Sequence, residues 1–310
     1  MKYYQQQNKN RLTVGQDGNA LTMLIAINLV VFVILAFIKI IYYFSQNDAG
    51  VTAFNRDIFY WVALPADMEN FISRPWTILT HMFVHDTQGV WHILANMIWL
   101  WVFGYILQDM AGNRKIFPLF FYGAIAGAVS YMLAYNLIPA LNENIKYSYA
   151  VGASAGVMAI ALGATALAPN YRIFPMLHGG IPLWVITVFY MIIDLATLPY
   201  DNPGGHIAHL AGAAMGFLVM KRYMKGSDWM EWMNNFFDWC TNLFNPDRPK
   251  KGKVVKSQLF YKANVAPYTK TPTITQQKVD EILEKIHQKG YGSLTEDEKE
   301  VLKRASQEES

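Results

Sequence analysis

Three stretches of this 310-residue chain set serine, histidine and asparagine inside long apolar runs, where such side chains are costly. His92 and Asn96 stand four residues apart, on one face of any helix that carries them. Ser154 lies within Gly152-Ala-Ser-Ala-Gly156, and His206 and His209 open a run that continues through Gly212 and Gly216. A serine hydroxyl is a poor nucleophile until a base removes its proton, and neutral imidazole does this near neutral pH. Ser154 with His209 is therefore expected to perform acyl transfer to water, the oxyanion being held by the Ser154 backbone N–H, His92 and the Asn96 amide. Asp194 lies in the preceding apolar run, but spacing does not relate it to His209. The expectation is a Ser-His dyad with no carboxylate.

Other chemistry has to be weighed beside this. Taken alone, Ser154 among glycine and alanine reads as a packing residue; its company with His209, His92 and Asn96 favours catalysis. His81 and His85, at i and i+4, and His206 and His209, at i and i+3, have spacings that zinc also uses. No Glu or Asp accompanies either pair in a metalloprotease signature, so no metal and no cofactor is expected, and His81 and His85 read as hydrogen-bonded loop anchors. One cysteine, Cys240, excludes an intramolecular disulfide framework. A net charge of +3 gives no argument for a nucleic-acid partner.

The elements that must position these residues are membrane helices. Apolar residues make up 53% of the chain and charged residues 16%, against about a quarter in ordinary proteins. Residues 21–44 suffice for a bilayer core of about 30 Å, which takes roughly 20 helical residues, and read as a retained helix rather than a cleaved signal. Further runs follow at 89–107, 116–138, 151–167, 181–198 and 207–223. The fold class expected is all-α, a polytopic bundle of six transmembrane helices with a small helical tail. Lys2, Lys9 and Arg11, then Arg114 and Lys115, Arg172, and Lys221, Arg222 and Lys225 fall on one side. Arg56, Arg74 and Lys146 are spread over longer loops on the other. Both termini are thus expected in the cytoplasm. Spans two, four and six then enter from the outer face, and residues a turn or so past each start share one depth. Gly152 with Gly156 and Gly212 with Gly216 form small-xxx-small pairs for close helix approach.

Four regions are expected. Residues 1–20 form a cytoplasmic segment. Residues 21–223 form the membrane domain, with 45–88 a long outer interfacial loop. Residues 224–274 hold an amphipathic helix, lying on the leaflet or forming a core in a soluble tail, and a basic linker from Pro246 to Lys256. Residues 275–310 form a helical hairpin with Val279, Ile282, Leu283 and Ile286 on one face and a capping box at Thr295 and Glu298.

Taken in order, His81-Met-Phe-Val-His85 with His92-Ile-Leu-Ala-Asn96, Gly152-Ala-Ser154, and His209-Leu-Ala-Gly212-Ala-Ala-Met-Gly216 resemble the rhomboid family of intramembrane serine proteases over the six-span block. The resemblance implies Ser154 as nucleophile, His209 as base, His92 and Asn96 as oxyanion donors, and the lipid bilayer as setting. It also implies cleavage of single-pass membrane proteins near the outer face, at helix-destabilised segments with small residues. The glycines three and seven residues on fit only His209, which leaves His206 one turn nearer the surface, bonding loop carbonyls. Four departures stand out: Ala155 for a glycine, Met158 for an aromatic that would stack on the imidazole, Thr77 after Trp76 for an arginine, with Arg74 a replacement anchor, and Gln108 for a glutamate. The tail hairpin is similar to C-terminal extensions of some bacterial rhomboids, its partner open, and a bacterial inner membrane is the expected location. Two further readings are a pseudoprotease that binds transmembrane segments without cutting and a metal-dependent membrane hydrolase.

Overall fold

The computed structural model describes residues 18–46, 48–87, 89–174, 176, 179–199, 202–243 and 276–308. Lys2, Lys9, Arg11 and the linker from Pro246 to Lys256 lie outside the described residues. The chain forms two units, Met1–Pro246 and Asp247–Ser310.

In the first unit α1 (Ala20–Gln46) opens at Asn19, whose Oδ1 accepts the Thr22 N–H at 3.0 Å. The outer loop follows as short pieces: α2 (Asp48–Phe54), a π turn (Asn55–Phe59), α3 (Tyr60–Val62), β1 (Leu64–Pro65), α4 (Met68–Ser73), α5 (Thr77–Thr80) and a 3-10 turn (His81–Phe83). Next come α6 (Val90–Ala111), α7 (Ile116–Leu137), α8 (Pro139–Asn142), β2 (Tyr149–Ala150), α9 (Ser154–Leu167), the hairpin β3 (Arg172–Ile173) and β4 (Ile181–Pro182), α10 (Leu183–Thr197), α11 (Pro203–Met224) and α12 (Glu231–Thr241). Each of the six apolar runs is a helix. The sixth begins four residues early, because Pro203 suits a first helical position and the Asn202 Oδ1 accepts the Gly205 N–H at 3.2 Å.

Ala20–Ser45, Val90–Ala111 and Asn113–Leu137 are long and apolar enough to cross a membrane by length and composition; α9 and α10 are shorter apolar helices. The protein is an all-α integral membrane bundle. At its centre stands α9, packed against α11, α7 and α6. Val157, Met158, Ala159, Ile160 and Ala161, five in a row, are buried on every side of it, as only a central helix allows. By contrast Val33 and Phe37 of α1 and Phe189, Ile192 and Leu195 of α10 are exposed apolar side chains suited to acyl chains.

Glycine decides how near α11 comes to α9. A Cβ on Gly212 would lie 2.2 Å from the Ala155 carbonyl oxygen, and one on Gly216 would lie 2.1 Å from that of Ala159. Gly156 faces α7 instead, where a Cβ would meet the Phe120 ring at 2.5 Å. Gly152 corrects the expected pairing: it lies outside the helix at φ +122, a conformation that L side chains rarely adopt, and serves the turn rather than helix packing.

Helix α12 docks on the bundle by one face, a contact that neither expected reading included. Met230 and Met233 are buried, and Phe237 meets Phe117 and Phe121. Arg114 bonds Asp238 at 2.7 Å and Lys115 pairs with Asp228, so two charges of the positive-inside set are used as anchors. Trp232, Phe236 and Trp239 remain exposed on the other side.

In the second unit α13 (Gln276–Lys289) and α14 (Glu296–Glu308) enclose Ile282 and Leu294. Thr295 and Glu298 exchange the capping-box bonds, and Lys285 meets Glu298 at 2.7 Å. That ammonium and the Thr295 N–H hold the Glu298 carboxyl down to about 2. Leu283, expected on the inner face, is half exposed, because two short helices cover only a narrow stripe.

Since a Cβ at position 212 would strike backbone, Gly212→Val is expected to force α11 off α9. Overpacking of this kind costs about 1–3 kcal/mol, and each kcal/mol lowers Tm by about 2–4 °C at this size. Thermal unfolding in detergent checks this, with a smaller loss expected for Gly89→Val, where a Cβ would meet nothing and the backbone is extended at φ -146.

Candidate active site

The turn before α9 is built by the outer loop. β1 pairs antiparallel with β2, Leu64 opposite Ala150 and Pro65 opposite Tyr149, and the Ala66 N–H donates to the Ser148 carbonyl at 3.0 Å. The Gly152 N–H donates to the His81 carbonyl at 3.0 Å, and the Ala153 N–H reaches His85 Nε2 at 3.5 Å. His81 in turn donates its Nδ1–H to the Thr77 carbonyl at 3.0 Å. The loop itself is stitched by Arg74 Nη1 to the Tyr60 carbonyl (2.7 Å), Trp76 Nε1 to the Trp61 carbonyl (2.9 Å) and Thr80 Oγ1 to the Val62 carbonyl (2.7 Å). Arg74 also lies over the Trp61 ring, so it serves as the loop's cationic anchor while Thr77 caps back to the Arg74 carbonyl.

Ser154 is thereby the first residue of α9, where N–H groups have no carbonyl one turn back to accept them and the helix dipole is positive. His209 is the seventh residue of α11, and its Nε2 lies 2.7 Å from Ser154 Oγ. Helix α11 thus starts six residues, about 9 Å, before His209, whereas α9 starts at Ser154 itself, so the two helix starts are staggered while the side chains meet. An α9 of 14 residues is about 21 Å long, short of a core of about 30 Å.

The expected absence of a carboxylate is also overturned. Asp194 of α10 is buried, and its Oδ1 lies 2.8 Å from His209 Nδ1 and 2.7 Å from His206 Nδ1. His206 accordingly bonds a carboxylate and, at 3.3 Å, Thr197 Oγ1, rather than loop carbonyls. One signal pointed to Asp194: it is the only charged residue in the fifth apolar run, and an ionisable group inside a span carries a functional presumption. The same three residues bring potential metal-ligand atoms within 4.8 Å of one another. Their contacts have hydrogen-bond lengths on one shared oxygen, and His81 and His85 are committed elsewhere in the loop.

Ser154, His209 and His92 line one cavity of about 240 Å³, whose walls include Gly127, Ala128, Ala155 and Ala208 and whose edge is the extended backbone from Tyr149 to Gly152. His92 sits close to Gly152; a Cβ there would lie 3.3 Å from its Nε2. Asn96 is buried one turn on, does not line the cavity, and donates from Nδ2 to the His92 carbonyl at 3.0 Å. Met158 is fully buried in α9, and Gln108 is buried in α6.

His81 and His85 lie in the outer loop, outside the spanning helices. Burial pushes each down to about 4, with His92 adding to the effect at His85. Between the ordinary value of 6.5 and about 4 the unfolded chain takes up protons that the folded loop refuses, so stability falls as pH falls through that window. The midpoint of thermal unfolding should therefore drop between pH 7 and pH 4.5, and drop less in His85→Gln.

Residues 73–225, which hold every residue of this cavity's polar set, match the Rhomboid domain family, and residues 267–308 match a family of unknown function (DUF6576). Over 169 residues the chain is 28% identical to RHOMBOID-like protein 12, mitochondrial, of Arabidopsis thaliana, covering 51% of this chain and 50% of that protein. It is 23% identical over 167 residues to Rhomboid protease GlpG of Serratia proteamaculans, covering 52% of each. Over 162 residues it is 28% identical to Rhomboid protein 1, mitochondrial, of Saccharomyces cerevisiae, covering 48% of this chain and 42% of that one. The chain thus spans about half the length of these relatives.

Proposed function

This chain belongs to the rhomboid family of intramembrane proteases, and from that premise we propose that it is an active serine endopeptidase with Ser154 as nucleophile and His209 as general base. The observation that carries the reading is the 2.7 Å contact between Ser154 Oγ and His209 Nε2, made between two helices at the edge of a cavity. In the first step the Ser154 hydroxyl proton passes to His209 Nε2 while Oγ bonds to the scissile carbonyl carbon. Collapse of the tetrahedral oxyanion breaks the C–N bond, and His209 returns that proton to the leaving amine. Water then gives a proton to His209 Nε2 as its oxygen bonds to the acyl carbon, and collapse of the second tetrahedral oxyanion breaks the C–Oγ bond while His209 returns the proton to Ser154 Oγ, freeing the new carboxyl terminus. The first N–H groups of α9 and the His92 ring face the cavity where the oxyanion forms.

Substrates are proposed to be single-pass transmembrane proteins. A helix has its carbonyls committed to its own backbone, so the chain at the cleaved bond must unwind, and small residues favour this. The extended run from Tyr149 to Gly152, paired with β1 on one side, offers its other edge to such a strand. Walls of glycine and alanine suit a small side chain beside the bond. The positive charges on alternate loops support both termini in the cytoplasm and cleavage near the outer face. A bacterial inner membrane fits this, and the Arabidopsis and yeast relatives carry mitochondrial names. Residues 21–223 are taken as the protease domain, 224–274 as the docked helix and linker, and 275–310 as a cytoplasmic hairpin.

The test is cleavage of a single-pass substrate in proteoliposomes. Ser154→Ala and His209→Ala should each abolish turnover with folding intact, and a chelator should leave the wild type unaffected. Chelator-sensitive cleavage that survives Ser154→Ala would select the metal-hydrolase reading, to which the cluster of Asp194, His206 and His209 lends its one support. Binding without cleavage would mark a pseudoprotease. His92→Ala should lower kcat by about 10–10², and Asn96→Ala by less than about tenfold, since one oxyanion donor contributes up to 10²–10³ and the Asn96 amide already serves the His92 carbonyl.

A further inference from the structure

We propose that Asp194 is a positioning residue that turns the serine–histidine pair into a three-member chain, with His206 as the second tether of its carboxylate. This rests on the reading of Ser154 and His209 as the reacting pair. A carboxylate oxygen can only accept, so both imidazoles donate their Nδ1–H to Asp194 Oδ1. With its Nδ1 proton committed, neutral His209 has Nε2 free to accept the Ser154 hydroxyl proton, the tautomer that general-base catalysis needs. When His209 takes that proton, the buried Asp194 carboxylate faces the imidazolium at hydrogen-bond distance.

Three features favour this role over a purely structural bond between α10 and α11. Only Leu183, Thr187 and Asp194 of α10 are fully buried, so the helix spends one of three such positions on an ionisable group. Helix α10 is also joined to α9 by Thr187, 2.7 Å from Thr165 Oγ1, and to α11 by Thr197 Oγ1, 3.3 Å from His206 Nε2, so Asp194 is not its sole anchor. Finally, both imidazoles converge on one oxygen, and Oδ2 has no hydrogen-bond partner among the described residues. Buried polar atoms are rarely left without a partner, and a catalytic role is one reason that such an atom is kept. His206 Nε2 meets Thr197 Oγ1 on its far side at 3.3 Å, where the hydroxyl's one proton serves either that nitrogen or the Ile193 carbonyl at 2.8 Å, so the second tether rests against the helix that carries Asp194.

The experiment uses the full chain in proteoliposomes with a single-pass substrate bearing an Ala-Gly segment near its outer end, together with 15N spectra of the histidine rings. Asp194→Ala is expected to lower kcat by about 10²–10⁴ with KM within about threefold, the loss seen when the carboxylate of a serine triad is removed. His209, an Nδ1–H tautomer in the wild type, should show a mixed or Nε2–H signature in this variant. His206→Ala should lower kcat on its own and add nothing in the Asp194→Ala background, because it acts through Asp194. The shape-conserving Asp194→Asn covers the case in which alanine prevents folding, and it too should reduce kcat at least tenfold. Wild-type kcat within threefold in both Asp194 variants, or a His209 signature that stays unchanged on Asp194→Ala, would overturn the inference. A wild type that does not cut, or a Ser154→Ala variant that does, overturns the proposed function instead, and the ring signature still reads the role of Asp194.

Discussion

Two backbone carbonyls of α9, those of Ala155 and Ala159, press on the face of α11 where Gly212 and Gly216 present no side chain. In a bilayer, where apolar side chains gain little by leaving lipid for one another, such contact is a main source of helix association. It also sets a distance. A serine Oγ reaches a little over 2 Å from its backbone and an imidazole somewhat further, so a hydrogen bond between them requires the two helices to cross at close range. Gly127 of α7, where a Cβ would fall 2.5 Å from the Ala155 Cβ, extends the same constraint to the third helix. The catalytic contact is thus a by-product of how small residues pack.

Depth is controlled by a different device. A nucleophile at the first residue of a helix has unpaired N–H groups beside it, but the chain must reach that depth without leaving its own backbone groups unsatisfied. The outer loop supplies the partners: β1 pairs with β2, the His81 carbonyl takes the Gly152 N–H, and His85 meets the Ala153 N–H. Neutral histidines suit this work, since a charged ring in the same buried place would be costly. The positive φ of Gly152 lets the extended run turn into α9 beside the His92 ring.

Inside the bundle three ionisable groups share one oxygen. Asp194, His206 and His209 satisfy one another through a single oxygen, and His209 passes the connection on to Ser154. Elsewhere α10 contacts the bundle through Leu183, Ile186, Thr187 and Tyr190, the last stacked on Trp99, and turns Phe189, Ile192 and Leu195 outward. Charged residues at the opposite end are used in another way, Arg114 and Lys115 holding α12 against the ends of α7 and α11.

Much of this was legible in one dimension. Hydrophobic runs long enough for a bilayer, and the alternation of basic residues between them, follow from solvation alone and need no neighbour, so the six helices and the polar residues on them could be named from the chain. Ser154, His209 and His92 could be grouped because they open spans that enter from one side. Tertiary structure decided what depends on rotation and stagger. Asp194 is one residue on an apolar helix, and nothing in spacing says which way it faces; only the packing of α10 turns it to the two histidines. Asn96 shares a helix face with His92 yet bonds the His92 carbonyl, and Gly152, read as packing, proved a turn. Solvation is a property of each segment, and the sequence by itself determined that; contact is a property of pairs of helices, and only their packing chose which polar groups meet.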